Sequence, residues 1–176
     1  MAFPFADTVR YRYRDNFLEP RVGSYEIYNH VRVASASGGL MRAHDGIDVY
    51  AAMGVPVRAP FSGTVIDPAE RWIPWAPARY GLTVVIVSDE PASQGYAVLL
   101  CHLSRMDVRV GDRVERGQVV GLNGRTGNAS AQGILPHVHL ELRAPFLMRV
   151  RRAGEVRLID AFNPYPSLRA ADPHRP

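Results

Sequence analysis

The chain predicts an all-β fold of antiparallel sheets arranged as a sandwich or barrel. Three observations carry that expectation. Apolar and polar residues alternate with period two over short runs, as where Val138, Leu140 and Leu142 interleave with His137, His139 and Glu141. Gly and Pro, 15 and 14 of the 176 residues, break those runs at close intervals. The segments G-V-P-V-R-A-P-F-S-G-T-V and V-G-D-R-V-E-R-G-Q-V-V-G echo one another, as two similar hairpins building one core would.

Residues 1–34 mix aromatics with Arg in Y-R-Y-R and S-Y-E-I-Y-N-H-V-R-V. They are expected as a leading segment on the domain edge, with a strand or two. A loop, S-A-S-G-G-L, follows. Strands are then predicted at 47–51, 56–59, 63–67, 82–88, 96–103, 113–114, 119–123 and 137–143, from their β-branched content and flanking breakers. Two long loops are expected to wall a groove. The first, 68–81, holds Trp72 and Trp75, which can stack on a substrate or cap the core. The second, 123–136, leads into the histidine strand, and its glycines permit close backbone approach. Residues 146–160 suggest an extra hairpin turning at 153–154. The domain is expected to span 35–168, with 169–176 as a frayed tail in which His174 is inert.

The chemistry sits in four short stretches. R-A-H-D-G-I-D carries His44 and Asp48, L-L-C-H-L-S carries His102, and P-H-V-H-L-E-L carries His137 and His139. This inventory offers three ligands for one zinc ion and two histidines for acid–base work. Alternation places His137 and His139 on one face of a strand. His44 and Asp48 would stand ~13 Å apart on a straight strand. Sharing an ion therefore predicts a backbone irregularity at Asp45 and Gly46. Cys101, next to His102, is expected to face the opposite way, as a buried thiol. His30 is expected on the surface.

The order H-x-G-x-D, H-L-S, G-x-T-G and P-H-x-H-x-E resembles that of the lysostaphin-type, or LytM-like, zinc endopeptidases, which cut peptide bonds in bacterial peptidoglycan. The resemblance runs from about Ser35 to about Leu168. It implies a β domain of duplicated-hybrid-motif type and one Zn2+ per chain. His44, Asp48 and His139 would be the metal ligands. His102 and His137 would be the catalytic pair that steadies the attacking water and the oxyanion. Glu141 would be a partner of a ligand histidine or an ordinary strand residue. The implied partner is the peptidoglycan peptide, and the implied location is extracytoplasmic.

Composition narrows the alternatives. Hydrophobic residues are 47% and charged residues 22%, ordinary for a globular domain. Net charge is +4, carried by Arg without Lys. A basic surface suits an anionic polymer, but no nucleic-acid-binding signature is present. One Cys allows no internal disulfide. No segment approaches 18 apolar residues, and no signal peptide is visible at the start. Two other readings remain at this stage. One is a catalytically silent LytM-like module that binds wall or activates another hydrolase. The other is a phosphohistidine carrier, which leaves Asp48 beside His44 unexplained. The sequence does not set the oligomeric state.

Overall fold

The structure, a computed structural model, describes residues 1–21, 32–34, 40–72, 75–152 and 155–175. In chain order the strands are β1 (Tyr11–Arg12), β2 (Pro20–Arg21), β3 (Arg32–Ala34), β4 (Leu40–Ala43), β5 (Ile47–Ala51), β6 (Pro56–Arg58), β7 (Gly63–Ile66), β8 (Leu82–Ser88), β9 (Ala97–Leu103), β10 (Arg105–Met106), β11 (Arg113–Val114), β12 (Val119–Leu122), β13 (His137–Arg152) and β14 (Glu155–Phe162). Two short α-helices, α1 (Pro77–Tyr80) and α2 (Tyr165–Ala171), and two 3-10 turns, Pro68–Glu70 and Gly127–Ser130, complete the described elements. The main sheet runs β1-β5-β13-β9-β8-β7-β11, with β14 added on β13. Two three-stranded sheets, β10-β12-β6 and β2-β4-β3, flank it. The pairings are antiparallel and the main sheet does not close into a barrel.

The strands over 47–51, 82–88 and 113–114 form at their expected bounds. β13 departs most. It runs on past Arg143 to Arg152, with a register shift before Met148. Pro145 lies in the shifted stretch, where its missing N–H cannot extend the ladder. Arg152 pairs with Glu155 as a hairpin requires, although the turn at 153–154 lies outside the described residues. His30 lies outside them as well.

The two echoing segments are not two hairpins. β6 pairs with β12, and β7 pairs with β11. Each copy turns a corner between two sheets, so its strands find partners in the other copy. Pro60 stands at one such corner, between β6 and β7.

The main sheet has two unlike faces. Val138, Leu140 and Leu142 of β13 enter the larger core with Ile47, Val49, Val98 and Leu100. Phe3 and Phe5, from the leading segment, are buried in the same core, while β1 of that segment is the end strand of the main sheet. Leu168 of α2 joins them. Just beyond α2, Asp172 accepts hydrogen bonds from the phenols of Tyr11 and Tyr13, tying the two ends of the chain together. His174 lies against the Tyr11 ring. The opposite face carries His137, His139 and Glu141, with a smaller core of Trp72, Tyr80, Val85, Ala97, Leu99 and Cys101.

Glu90, after β8, joins three segments. It accepts from the Ser62 backbone N–H at 2.7 Å and from the Arg116 guanidinium. The Arg116 hydrogen bonds, against a smaller opposing effect of burial, lower its pKa to about 2. An unfolded Glu titrates near ~4.3. The folded value is depressed, so this contribution to stability is present above that pH and lost as pH falls toward 2. Urea unfolding of Glu90→Gln is therefore expected to show a shallower loss of stability than the wild type between about pH 4.5 and 2. Parallel pH profiles of the two proteins would remove this role.

Candidate metal centre

β4 ends at Ala43 and β5 begins at Ile47, so the chain bends at the expected place. The bend brings His44 Nε2 to 3.0 Å from Asp48 Oδ1. Gly46 allows it by lacking a side chain. A Cβ there would lie 2.3 Å from the Leu140 carbonyl oxygen and 2.9 Å from His139 Cε1. Across the ladder, His139 stands opposite Asp48, with Nδ1 2.9 Å from Asp48 Oδ1 and 2.9 Å from His44 Nε2. Three donor atoms thus meet in a small triangle, and all three residues are buried.

The outer nitrogen of each ring decides what the inner one presents. His44 Nδ1 lies 2.8 Å from the Asn16 carbonyl oxygen, which can only accept, so Nδ1 carries the hydrogen. His139 Nε2 lies 3.0 Å from Glu141 Oε1 and donates to it. Glu141 is fully buried, and its other oxygen accepts from the Trp72 indole at 2.6 Å. His44 Nε2 and His139 Nδ1 therefore both turn lone pairs toward the Asp48 carboxylate. Three mutually facing acceptors at this distance repel one another unless a cation sits among them. A proton on either inner nitrogen would serve as that cation: burial alone would raise the Asp48 pKa, but hydrogen bonds from His139 and His44 when they are protonated hold it well below the carboxylate range. Burial likewise opposes a charged His139, yet Asp48 and Glu141 prevail and raise its pKa.

The arrangement suits a zinc ion. Two imidazole nitrogens and one carboxylate oxygen form a typical three-residue set with room for a further ligand. Ligands at ~2.0–2.1 Å from a tetrahedral ion lie about 3.3 Å apart. The observed separations of 2.9–3.0 Å need only a small spread.

His102 and His137 stand beside this triangle, with ring centroids 4.9 Å apart. His102 gets there through a bulge. Between Leu100 and Leu103, β9 spans one more residue than β8 does between Val84 and Leu82. His102 adopts φ +63°, a left-handed value uncommon outside Gly. The expectation that Cys101 and His102 face opposite ways is thereby overturned. Cys101 pairs across from His139 and stays a buried thiol, while the bulge swings His102 onto the same face. His102 Nδ1–H donates to the Thr126 carbonyl at 3.0 Å, and His137 Nδ1–H donates to the Leu135 carbonyl at 2.7 Å. Both carbonyls come from the loop before β13, and both rings present Nε2. Burial first, and then the neighbouring His139 and His137, lower the His102 pKa to about 3, so this ring is neutral at pH 7.

The sequence reading missed Asn16. It is 4% exposed, its amide lies 3.2 Å from Asp48 Oδ2, and its carbonyl orients His44. Nothing marks it locally, since Asp-Asn reads as an ordinary turn pair 28 residues before His44. Trp72, weighed as a substrate platform, is 1% exposed and belongs to the core. Trp75 stacks on Tyr80 with centroids 4.9 Å apart.

The model of peptidase family M23 matches residues 42–152. Glycyl-glycine endopeptidase ALE-1 of Staphylococcus capitis is 32% identical over 98 residues, which are 56% of this chain and 24% of that protein. Peptidoglycan DD-endopeptidase ShyA of Vibrio cholerae is 35% identical over 99 residues, 56% of this chain and 20% of that one. The match thus spans a quarter or less of these relatives' own length. The catalytic domain of lysostaphin from Staphylococcus simulans shares the fold, with a TM-score of 0.56 and 22% identity over 92% of this chain and 93% of that chain.

Gly46→Ala is expected to lower stability by about 1–3 kcal/mol in urea unfolding, because the strand and His139 must shift to admit the methyl group. An unchanged unfolding midpoint would show that the close approach is not a constraint.

Proposed function

The chain belongs to peptidase family M23, and from that membership we propose that it is a zinc-dependent endopeptidase acting on the peptide part of peptidoglycan. His44, Asp48 and His139 hold the ion in this reading, one per chain. His102 and His137 act on the substrate. The observation that carries the proposal is the convergence of two imidazole lone pairs and one carboxylate oxygen at 2.9–3.0 Å, with both outer N–H groups already engaged.

When bound, zinc supplies a Lewis acid that acidifies water and polarises a carbonyl. The chain's own residues do the rest. His102, neutral and anchored through Nδ1, presents Nε2 as a proton acceptor. His137, anchored on Leu135, presents its Nε2 from the other side. Whichever ring takes a proton from water can then donate a hydrogen bond to the developing oxyanion and pass the proton to the leaving amine. Glu141, steadied by Trp72, keeps the His139 ring in place and its Nε2 protonated. A wall substrate implies an extracytoplasmic site of action. Among the described residues no helix is long and apolar enough to cross a membrane.

Zinc analysis of the purified protein, paired with turbidity loss on bacterial cell walls, tests the whole reading. About one zinc per chain with chelator-sensitive clearing is expected. Zinc-free protein that clears nothing would support the silent wall-binding module instead. His139→Ala and Asp48→Ala are expected to lose zinc. His102→Ala is expected to keep zinc and lose hydrolysis by about 100-fold or more. Full activity in His102→Ala would end its catalytic role.

Zinc occupancy also depends on pH. Protons compete for His139 Nδ1, whose pKa Asp48 and Glu141 raise against the effect of burial. Apparent zinc affinity measured against a competing chelator is therefore expected to fall about tenfold per pH unit from this proton alone once the pH is below the raised His139 value. An affinity that does not change as the pH is lowered through the histidine range would contradict the assignment of His139 as a ligand.

A further inference from the structure

We infer that Arg12 is a specificity-determining residue whose guanidinium forms a carboxylate subsite beside His137. The inference rests on the peptidase reading above and concerns which peptides that site accepts.

Register places the residues. Arg12 of β1 stands opposite Tyr50 of β5, and Tyr50 stands opposite His137 of β13. Directly opposed residues in neighbouring strands project from the same face. Arg12, Tyr50 and His137 therefore form a row on the histidine face, next to the row of Asp48 and His139. The contacts follow the register. Arg12 Cζ lies 5.6 Å from the Tyr50 ring centroid, and the Tyr50 ring lies 5.1 Å from that of His137.

Geometry sets the reach. Two strand spacings are about 10 Å, and an extended peptide rises about 3.3 Å per residue. A peptide crossing the row would bring to Arg12 a group about three residues from the bond held at His137. A guanidinium fork matches a carboxylate best. Resting on an aromatic face, it is already ordered before the ligand arrives.

The pairing of the neighbouring arginines points the same way. Arg12 is exposed and makes no ion pair or hydrogen bond among the described residues. Arg14, Arg105, Arg113 and Arg116 each face a carboxylate. A cation on an edge strand also discourages strand pairing between molecules. The Tyr50 contact separates Arg12 from that role, since it draws the guanidinium across the face toward His137 and not along the open edge.

Three dansyl-labelled hexapeptides of Gly and Ala test the subsite. One carries a Glu and an amidated C-terminus. One carries Gln and a free C-terminal carboxylate. One carries Gln and an amide, and is neutral at both places. Dissociation constants are read by fluorescence anisotropy on zinc-loaded protein, with cleavage of the same peptides followed by chromatography. One acid peptide is expected to bind about fivefold more tightly than the neutral one at low salt, and which acid does so identifies the source of the carboxylate. The preference is expected to fall to about one in Arg12→Gln and in ~1 M salt. It is expected to persist in Arg10→Gln, which removes the same charge two residues away. Equal binding of all three peptides by the wild type, a preference retained in Arg12→Gln, or no binding of any peptide overturns the inference. Cleavage without preference overturns the subsite and leaves hydrolysis standing. An Arg12-dependent preference without cleavage supports the subsite and overturns the hydrolytic reading.

Discussion

Everything around the site follows from one electrostatic constraint: three lone-pair-bearing atoms are forced together at hydrogen-bond distance in a buried place. Two rings have their outer N–H groups committed, one to the Asn16 carbonyl and one to Glu141. With those protons fixed outward, the inner nitrogens can only face Asp48 as acceptors. Burial strengthens the repulsion, because there is little water to screen it. The cluster is stable only with positive charge at its centre, and the raised pKa of His139 and the depressed pKa of Asp48 express the same demand.

The backbone is bent to serve that demand, at two points. Gly46 lets β5 pass so close to β13 that no side chain fits between them. The bulge at His102 spends an unfavourable φ to put two consecutive side chains on one face. One of them, Cys101, fills the smaller core, and the other joins the histidine pair. The loop before β13 then supplies the carbonyls of Thr126 and Leu135 that set the orientation of both rings. Loop carbonyls can do this because the loop is pinned at both ends, by the Thr126 side chain on Leu103 and by the start of β13.

The two faces of the main sheet divide the work. One is largely apolar and holds the chain together, with Phe3 and Phe5 brought in from the N-terminal stretch. The other carries the ionisable groups, and behind them Trp72 and Arg143 shield Glu141. The N-terminal stretch contributes to both. Asn16 reaches the metal triangle and Arg12 lies over Tyr50, so residues far from the motifs in sequence lie beside them in space.

The sequence by itself located several strands, β5, β8 and β11 at their full bounds, and singled out the five motif residues. Period-two alternation is a local property, so His137 and His139 could be placed on one face and Val138 on the other without any knowledge of the fold. A bend at Gly46 was also legible, because strand geometry makes it a condition for His44 and Asp48 to meet. Other features were decided only by tertiary structure. The echoing segments exchange partners across the core, Trp72 is buried against Glu141, and His102 turns against the alternation of its own strand. Asn16 and Arg12 acquire neighbours that lie 28 or more residues away. Periodicity and propensity act over a few residues, whereas these contacts depend on which strands become neighbours when the apolar face is buried.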